Sequence, residues 1–315
     1  MRIARHSTSS GVRYTIFVLL AAVLWSTGGL GVKSVEMNAL ALAGFRSLFA
    51  IPVLVMAAIV ESRRRGLGAR DVARVGRRPL MWCAAFSYAV MVTSFVVAVK
   101  LTTAANAILL QYSGPIYVAL LSWPLLREPL SRADVVATAG CFLGMVLFFV
   151  DRVSPDGRLG DLIAIVSSFG FAGVPLLMRL EQRWQGPAWR ADAVSPFVAM
   201  AIGNAMTCAF AAPRMIEAAR VAIAPSAWAV LVFLGAVQIG AAYWLYGAAV
   251  GKLAALRSTL LATIEPILNP LWVAIVRGER PTRWAAIGGA VIVSSVALQA
   301  LGRSHRWSPR PKNGS

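Results

Sequence analysis

The sequence predicts an all-α integral membrane protein with ten transmembrane helices arranged as two inverted five-helix repeats. Three observations lead there. Apolar residues gather in runs of about twenty, the length a helix needs to cross a hydrocarbon layer of about 30 Å. Hydrophobic residues make up 58% of the 315, and charged residues only 14%, where a soluble domain carries about a quarter. The chain also repeats itself when shifted by 151 residues. Helices are required rather than open sheets because lipid offers no partner to backbone polar groups, and the short alternating strands of a closed barrel are absent from the sequence.

The pattern places spans at Tyr14 to Gly31, Asn38 to Val60, Pro79 to Val99, Thr103 to Leu126 and Arg132 to Val150. A second series follows at Asp161 to Met178, Ala193 to Ala211, Trp228 to Val250, Leu253 to Val276 and Trp284 to Leu301. The N-terminal stretch has the basic start of a signal peptide but no convincing cleavage site, and further spans follow, so it reads as a retained first helix. The polar, proline-containing tail, residues 303–315, reads as disordered.

The shift of 151 pairs Ala104 with Ala255, Leu109 with Leu260, Pro115 with Pro266, Glu128 with Glu279 and Arg132 with Arg283. A mid-helix proline, a helix-end glutamate and the following arginine therefore stay in register. Five crossings per unit is an odd number, so the second copy enters the bilayer from the opposite face. Inverted repeats of this kind are the build of alternating-access carriers.

The net charge of +18 raises the question of nucleic acid, but the basic residues lie in short segments between apolar runs, where the positive-inside rule accounts for them. With the N-terminus inside, and Lys and Arg at span ends counted with the adjoining segments, 21 fall on the inner side and nine on the outer, and the remaining one, Arg46, lies within a span. Both termini are therefore expected in the cytoplasm, with the chain in the inner membrane of a bacterial cell. Cys83, Cys141 and Cys208 sit inside apolar runs without Cys or His neighbours at ligand spacing, and both histidines are in the tails. No metal site or cofactor is expected, and an integral membrane enzyme is disfavoured.

Glu265 carries the most information. It lies about a dozen residues from either end of the ninth predicted span, about 18 Å of helix from each surface. An ionisable group at that depth must be paired, neutralised or turned to water. It would suit a proton-coupling site or a ligand for a cationic group; the alternative is a structural carboxyl that joins helices. Arg46, eight residues into the second span, could bind a substrate carboxylate or pair with Glu265, or it could snorkel to the interface. Pro115, Pro266 and Pro270 interrupt the fourth and ninth spans at matched depth and free the carbonyls of Gln111, Ala262 and Pro266, as a midplane substrate site does, although a simple kink is the competing reading. Gln111, Tyr112, Thr263 and Asn269 add polar groups near those breaks, and Trp25 and Tyr243 are aromatic candidates for its walls. Each of these also has a plain role in helix packing. Gly140 and Gly144 form a GxxxG motif compatible with a homodimer.

The segments Ala104 to Glu128 (AANAILLQYSGPIYVALLSWPLLRE) and Ser258 to Pro281 (STLLATIEPILNPLWVAIVRGERP) resemble the paired signatures of EamA-type transporters of the drug/metabolite transporter (DMT) superfamily. Trp25 with Gly28 and Gly29, Arg46, and GDLIAIVSSFGFA from Gly160 add to the likeness. The resemblance implies one repeat over residues 12–150, a second over 160–301, cytoplasmic termini, and a central cavity walled by the first four helices of each half. The fifth and tenth helices would stand outside it, in packing or dimer contacts. Members move amino acids, nucleotide-related molecules, sugars and drugs, often outward. The expectation is thus a secondary transporter of a small organic solute, an exporter working by alternating access, with protons as a candidate coupling ion. A lipid flippase is the alternative.

Overall fold

A computed structural model describes residues 3–151, 156–185, 193–250, 252–268, 272 and 282–304. All regular structure among them is helical. Among the described residues eight helices are long and apolar enough to cross a membrane: Gly11–Ser34, Ala39–Arg65, Pro79–Leu101, Asn106–Leu126, Arg132–Phe149, Arg158–Gln185, Ser195–Ala219 and Pro225–Val250. They correspond in order to the first eight predicted spans. For the ninth, a helix at Ala255–Ala262 and a turn-broken continuation through Leu268 are described. Asn269, Pro270 and Arg277 lie outside the described residues. The C-terminal helix Arg283–Ser304 corresponds to the tenth, with Arg283–Gln299 as its apolar stretch. It runs two residues into the predicted tail.

Local chemistry sets the ends. Asn38 Oδ1 accepts from the amides of Leu40 and Ala41 at the start of the second span, and Gly66, at φ 64°, closes it. Ser131 and Asp134 form a capping box on the fifth span. The predicted loop between the second and third spans contains a short helix, Ala69–Gly76. The seventh span continues past Pro213 to Ala219, beyond its predicted end at Ala211.

Large apolar side chains such as Phe86, Leu120, Trp123 and Leu162 point outward, as lipid-facing positions do. Inside the bundle the third span packs on the sixth and seventh, the second on the seventh and eighth, the first on the eighth and on residues 255–262, and the fifth on the C-terminal helix. Small residues allow the close approaches. A Cβ at Gly170 would meet the Ser87 carbonyl at 2.6 Å. Gly144 and Gly140 are covered by Gly288, Ile292 and Ser295 of the C-terminal helix, so the GxxxG face is occupied within the chain.

The two ends of the bundle carry different connections. At one end Arg78 pairs with Glu181 at 3.2 Å, Arg179 pairs with Glu128 at 2.8 Å, and Arg257 donates to Thr15 Oγ1 at 3.1 Å. A cavity of about 190 Å³ between Arg13, Glu61, Arg64, Gln182 and Lys252 lies there too. At the other end Lys100 donates to the Val35 carbonyl and Thr102 to Asp161 Oδ1, both at 2.8 Å, beside a hollow of about 800 Å³ between residues 34–38 and 214–230.

Candidate functional site

Three helices are broken near the middle of the bundle. The first is interrupted at Ser26 and Thr27, whose hydroxyls donate to the Val23 and Leu24 carbonyls at 2.6 and 2.8 Å and so compete with the backbone. The fourth is broken at Tyr112 and Ser113, just before buried Pro115, and residues 255–268 are broken at Thr263 and Ile264, just before buried Pro266. In the eighth span the residues Phe233–Ala241 widen into a π-helix, a form that tends to occur at functional sites. Only the second and third of these breaks have a proline signal in the sequence.

Between these breaks lies a cavity of about 40 Å³, walled by Trp25, Arg46, Met91, Val92, Phe95, Gln111, Phe171, Gln238, Ile239, Tyr243 and Glu265. Of the predicted site residues, Trp25, Arg46, Gln111, Tyr243 and Glu265 meet here. Arg46 is 4% exposed. Its guanidinium has no hydrogen-bond partner among the described residues, and Nη1 is sealed from solvent. It pairs with no carboxylate within 4.0 Å there, so the expected direct contact with Glu265 is not made in this conformation. The close seat of Gly235 against the Arg46 carbonyl and Phe49 holds the second and eighth spans together at this level.

Glu265 is only half-buried. The Tyr112 hydroxyl lies 2.6 Å from its Oε2 and 3.0 Å from the Ala262 carbonyl oxygen. Tyr112 therefore stands behind Glu265 rather than in the cavity wall. Gln111 Nε2 donates to Ser167 Oγ at 2.8 Å, and Ser167 in turn donates to the Met91 carbonyl at 2.9 Å. Thr263 is turned away, against Cys141 Sγ at 3.8 Å and the Leu260 carbonyl at 2.6 Å.

An aromatic cluster closes one side. Trp25 lies 4.7 Å from Tyr243 and 5.2 Å from Tyr246, ring centre to ring centre, and Tyr88 packs on Tyr243 at 4.8 Å. Gln238 was missed by sequence reasoning. Its Nε2 donates to the Trp25 carbonyl at 3.2 Å, across the break in the first span, and a Cβ at Gly28 would strike it at 2.6 Å. The only signal was a lone amide in the apolar run LVFLGAVQIGAA. Trp25 Nε1 and Gln238 Oε1, like Arg46 Nη1, are buried without a hydrogen-bond partner among the described residues. Two donors and one acceptor without partners among the described residues thus surround a single cavity, next to a carboxylate. Among the described residues no group of three or more His, Cys, Asp or Glu could hold a metal ion.

Helical spans around a polar centre define an integral membrane protein of the transporter class, and comparison with known proteins gives the family. The EamA-like transporter family matches residues 12–150 and again residues 158–301. The chain belongs to that family, whose members are membrane transporters of small solutes. An uncharacterized transporter of Archaeoglobus fulgidus is 27% identical over 283 residues, covering 89% of this chain and 94% of the relative. The uncharacterized transporter YwfM of Bacillus subtilis is 26% identical over 296 residues, covering 90% and 94%. One crystal structure shares the fold with a TM-score of 0.71 at 24% identity, covering 91% of this chain and 97% of that one.

Proposed function

We propose that the protein is a secondary carrier that moves a small organic solute outward across the inner membrane by alternating access, with both termini in the cytoplasm. Ten spans form two inverted five-helix halves, and the cavity between Arg46 and Glu265 is where the solute binds. One observation carries this reading: a permanently charged guanidinium is buried without a hydrogen-bond partner among the described residues, beside a carboxylate, where broken helices meet. Burying such a group is costly, and a solute that offers an anionic oxygen would offset the cost. Glu265 is then free to take a cationic group or a proton, and exchange of one for the other would drive export.

The span contacts support the duplication. Exchanging each span for the one five places on turns the third-on-sixth contact into first-on-eighth, and third-on-seventh into second-on-eighth; the second-on-seventh and fifth-on-tenth contacts map onto themselves. At about 40 Å³ the cavity is far below the roughly 300 Å³ of a small-molecule site. The cavity as it stands is therefore too small to hold a solute, and loading requires the halves to part. The end holding Arg78 and Glu181 is richer in arginine and is assigned to the cytoplasm.

The test is reconstitution. Wild-type protein in liposomes should move a labelled zwitterionic solute under a pH gradient, and Glu265→Gln should abolish the dependence on the gradient while the protein stays folded. Transport unaltered by that substitution would remove Glu265 from coupling. Movement of lipid headgroups in place of the solute would favour a flippase.

A further inference from the structure

We propose that Tyr112 reads the protonation of Glu265 and converts it into a tie between the two broken helices. The inference rests on the proposed reading of this cavity as the transport site and adds to it a device that senses the proton. The Tyr112 oxygen stands within hydrogen-bond distance of two acceptors, Glu265 Oε2 at 2.6 Å and the Ala262 carbonyl at 3.0 Å. A phenol has one hydrogen, so it cannot donate to both at once.

With Glu265 ionised, the hydrogen goes to the carboxylate, the stronger, charge-assisted acceptor. The Ala262 carbonyl then receives nothing from Tyr112, and it also lacks the usual helical donor four residues on, because that residue is Pro266. When a proton from water on the cavity side forms an O–H bond at Oε2, the carboxyl donates to the Tyr112 oxygen. The phenol hydrogen swings to Ala262, and two hydrogen bonds run in series, each polarising the other. The proton leaves by the same route, and Tyr112 keeps its own hydrogen throughout.

Location gives this switch its consequence. Tyr112 forms the break in the fourth span, and Ala262 is the last residue before the break at Thr263. The protonated state therefore ties backbone to side chain across the two interruptions. The ionised state releases the Ala262 carbonyl and lets residues 263–268 bend. The other titratable or charged groups facing this point are Arg46 from the second span, Tyr88 from the third, Tyr243 and Tyr246 from the eighth, and Cys141 from the fifth, beyond Thr263. The first and sixth spans contribute Trp25, Ser167 and Phe171, none of which titrates. Glu265 is the one carboxyl among these groups, so a response of the tie to acid belongs to it.

Hydrogen exchange of the full chain in lipid nanodiscs, corrected for intrinsic rates, reads the tie through the amides of residues 260–268. Wild-type protection should fall about fivefold to tenfold as the pH is raised from acid to alkaline, the worth of one net hydrogen bond. Glu265→Gln, whose amide donates to Tyr112 as the carboxyl does, should keep the low-pH protection throughout. Tyr112→Phe should show the lower protection throughout. A pH response retained in Tyr112→Phe, or a Glu265→Gln variant indistinguishable from Tyr112→Phe, overturns the proposal. Should Tyr112→Phe not fold, Glu265→Gln against wild type decides by itself: loss of the pH response with high protection supports the tie, and any other result refutes it. Solute movement by wild-type liposomes is scored separately, so a failed carrier reading and a failed switch give different results.

Discussion

At the scale of single residues, the proposed role of Arg46 sets function against stability. A buried guanidinium with no hydrogen-bond partner among the described residues costs the empty protein free energy, and on the proposed reading a solute that supplies an anionic oxygen recovers it. Arg46→Met should therefore raise the melting temperature of the ligand-free protein, or leave it unchanged, while weakening binding of carboxylate-bearing solutes by about tenfold to a hundredfold, the usual worth of a hydrogen bond to a charged group. Thermal melts with and without solute read both effects. A merely structural arginine would give the opposite sign in the empty protein. Gln238 acts differently. It serves the Trp25 carbonyl at the break in the first span, so its place in the wall depends on a contact 213 positions away in sequence.

Among the elements, the π-helical stretch and the small residues beside it decide which side chains reach the centre. Gly235 seats the eighth span directly on the Arg46 backbone. Gly235→Val would force these helices apart at a cost of about 1–3 kcal/mol, as overpacking does, and would carry Arg46 out of register with the cavity. A lowered melting temperature together with lost solute binding is the expected pair of results. The fifth span and the C-terminal helix are locked together through Gly144 and Gly288, and they supply no wall residue to the cavity.

For the whole molecule, the prediction concerns which end opens. Arg78 with Glu181 and Arg179 with Glu128 link helices at the arginine-rich end, and Glu181 is almost fully buried. Replacing Arg78 takes a cation away from that buried carboxylate, which destabilises this end, and should shift the protein toward opening there. Joining Arg78→Cys to Glu181→Cys with a short bis-maleimide, in a background without the native cysteines, should halt transport. Unimpeded transport in the cross-linked protein would rule out opening at this end. Labelling of single cysteines placed after Arg127 and after Arg277 should come from opposite sides of the membrane, since five crossings separate them; labelling from the same side would end the inverted-repeat reading.

The sequence by itself determined the class of protein. Runs of about twenty apolar residues leave helices as the economical way to satisfy backbone groups in lipid, and eight of the ten predicted spans appear as helices long enough to cross. It also exposed Glu265 and Arg46, because a charge inside such a run stands out, and two of the breaks, because proline cannot donate. The tertiary structure alone decided which polar groups converge. Helix periodicity says which residues share a face but not which helix that face meets, so Thr263, in the break itself, turns to Cys141, while Gln238 comes to Trp25. The break at Ser26 has no proline to announce it, since hydroxyls compete with the backbone only where the surrounding packing lets them. Whether Arg46 would find Glu265, a solute or the membrane surface was likewise a question of distance between helices, which no residue pattern along a single chain encodes.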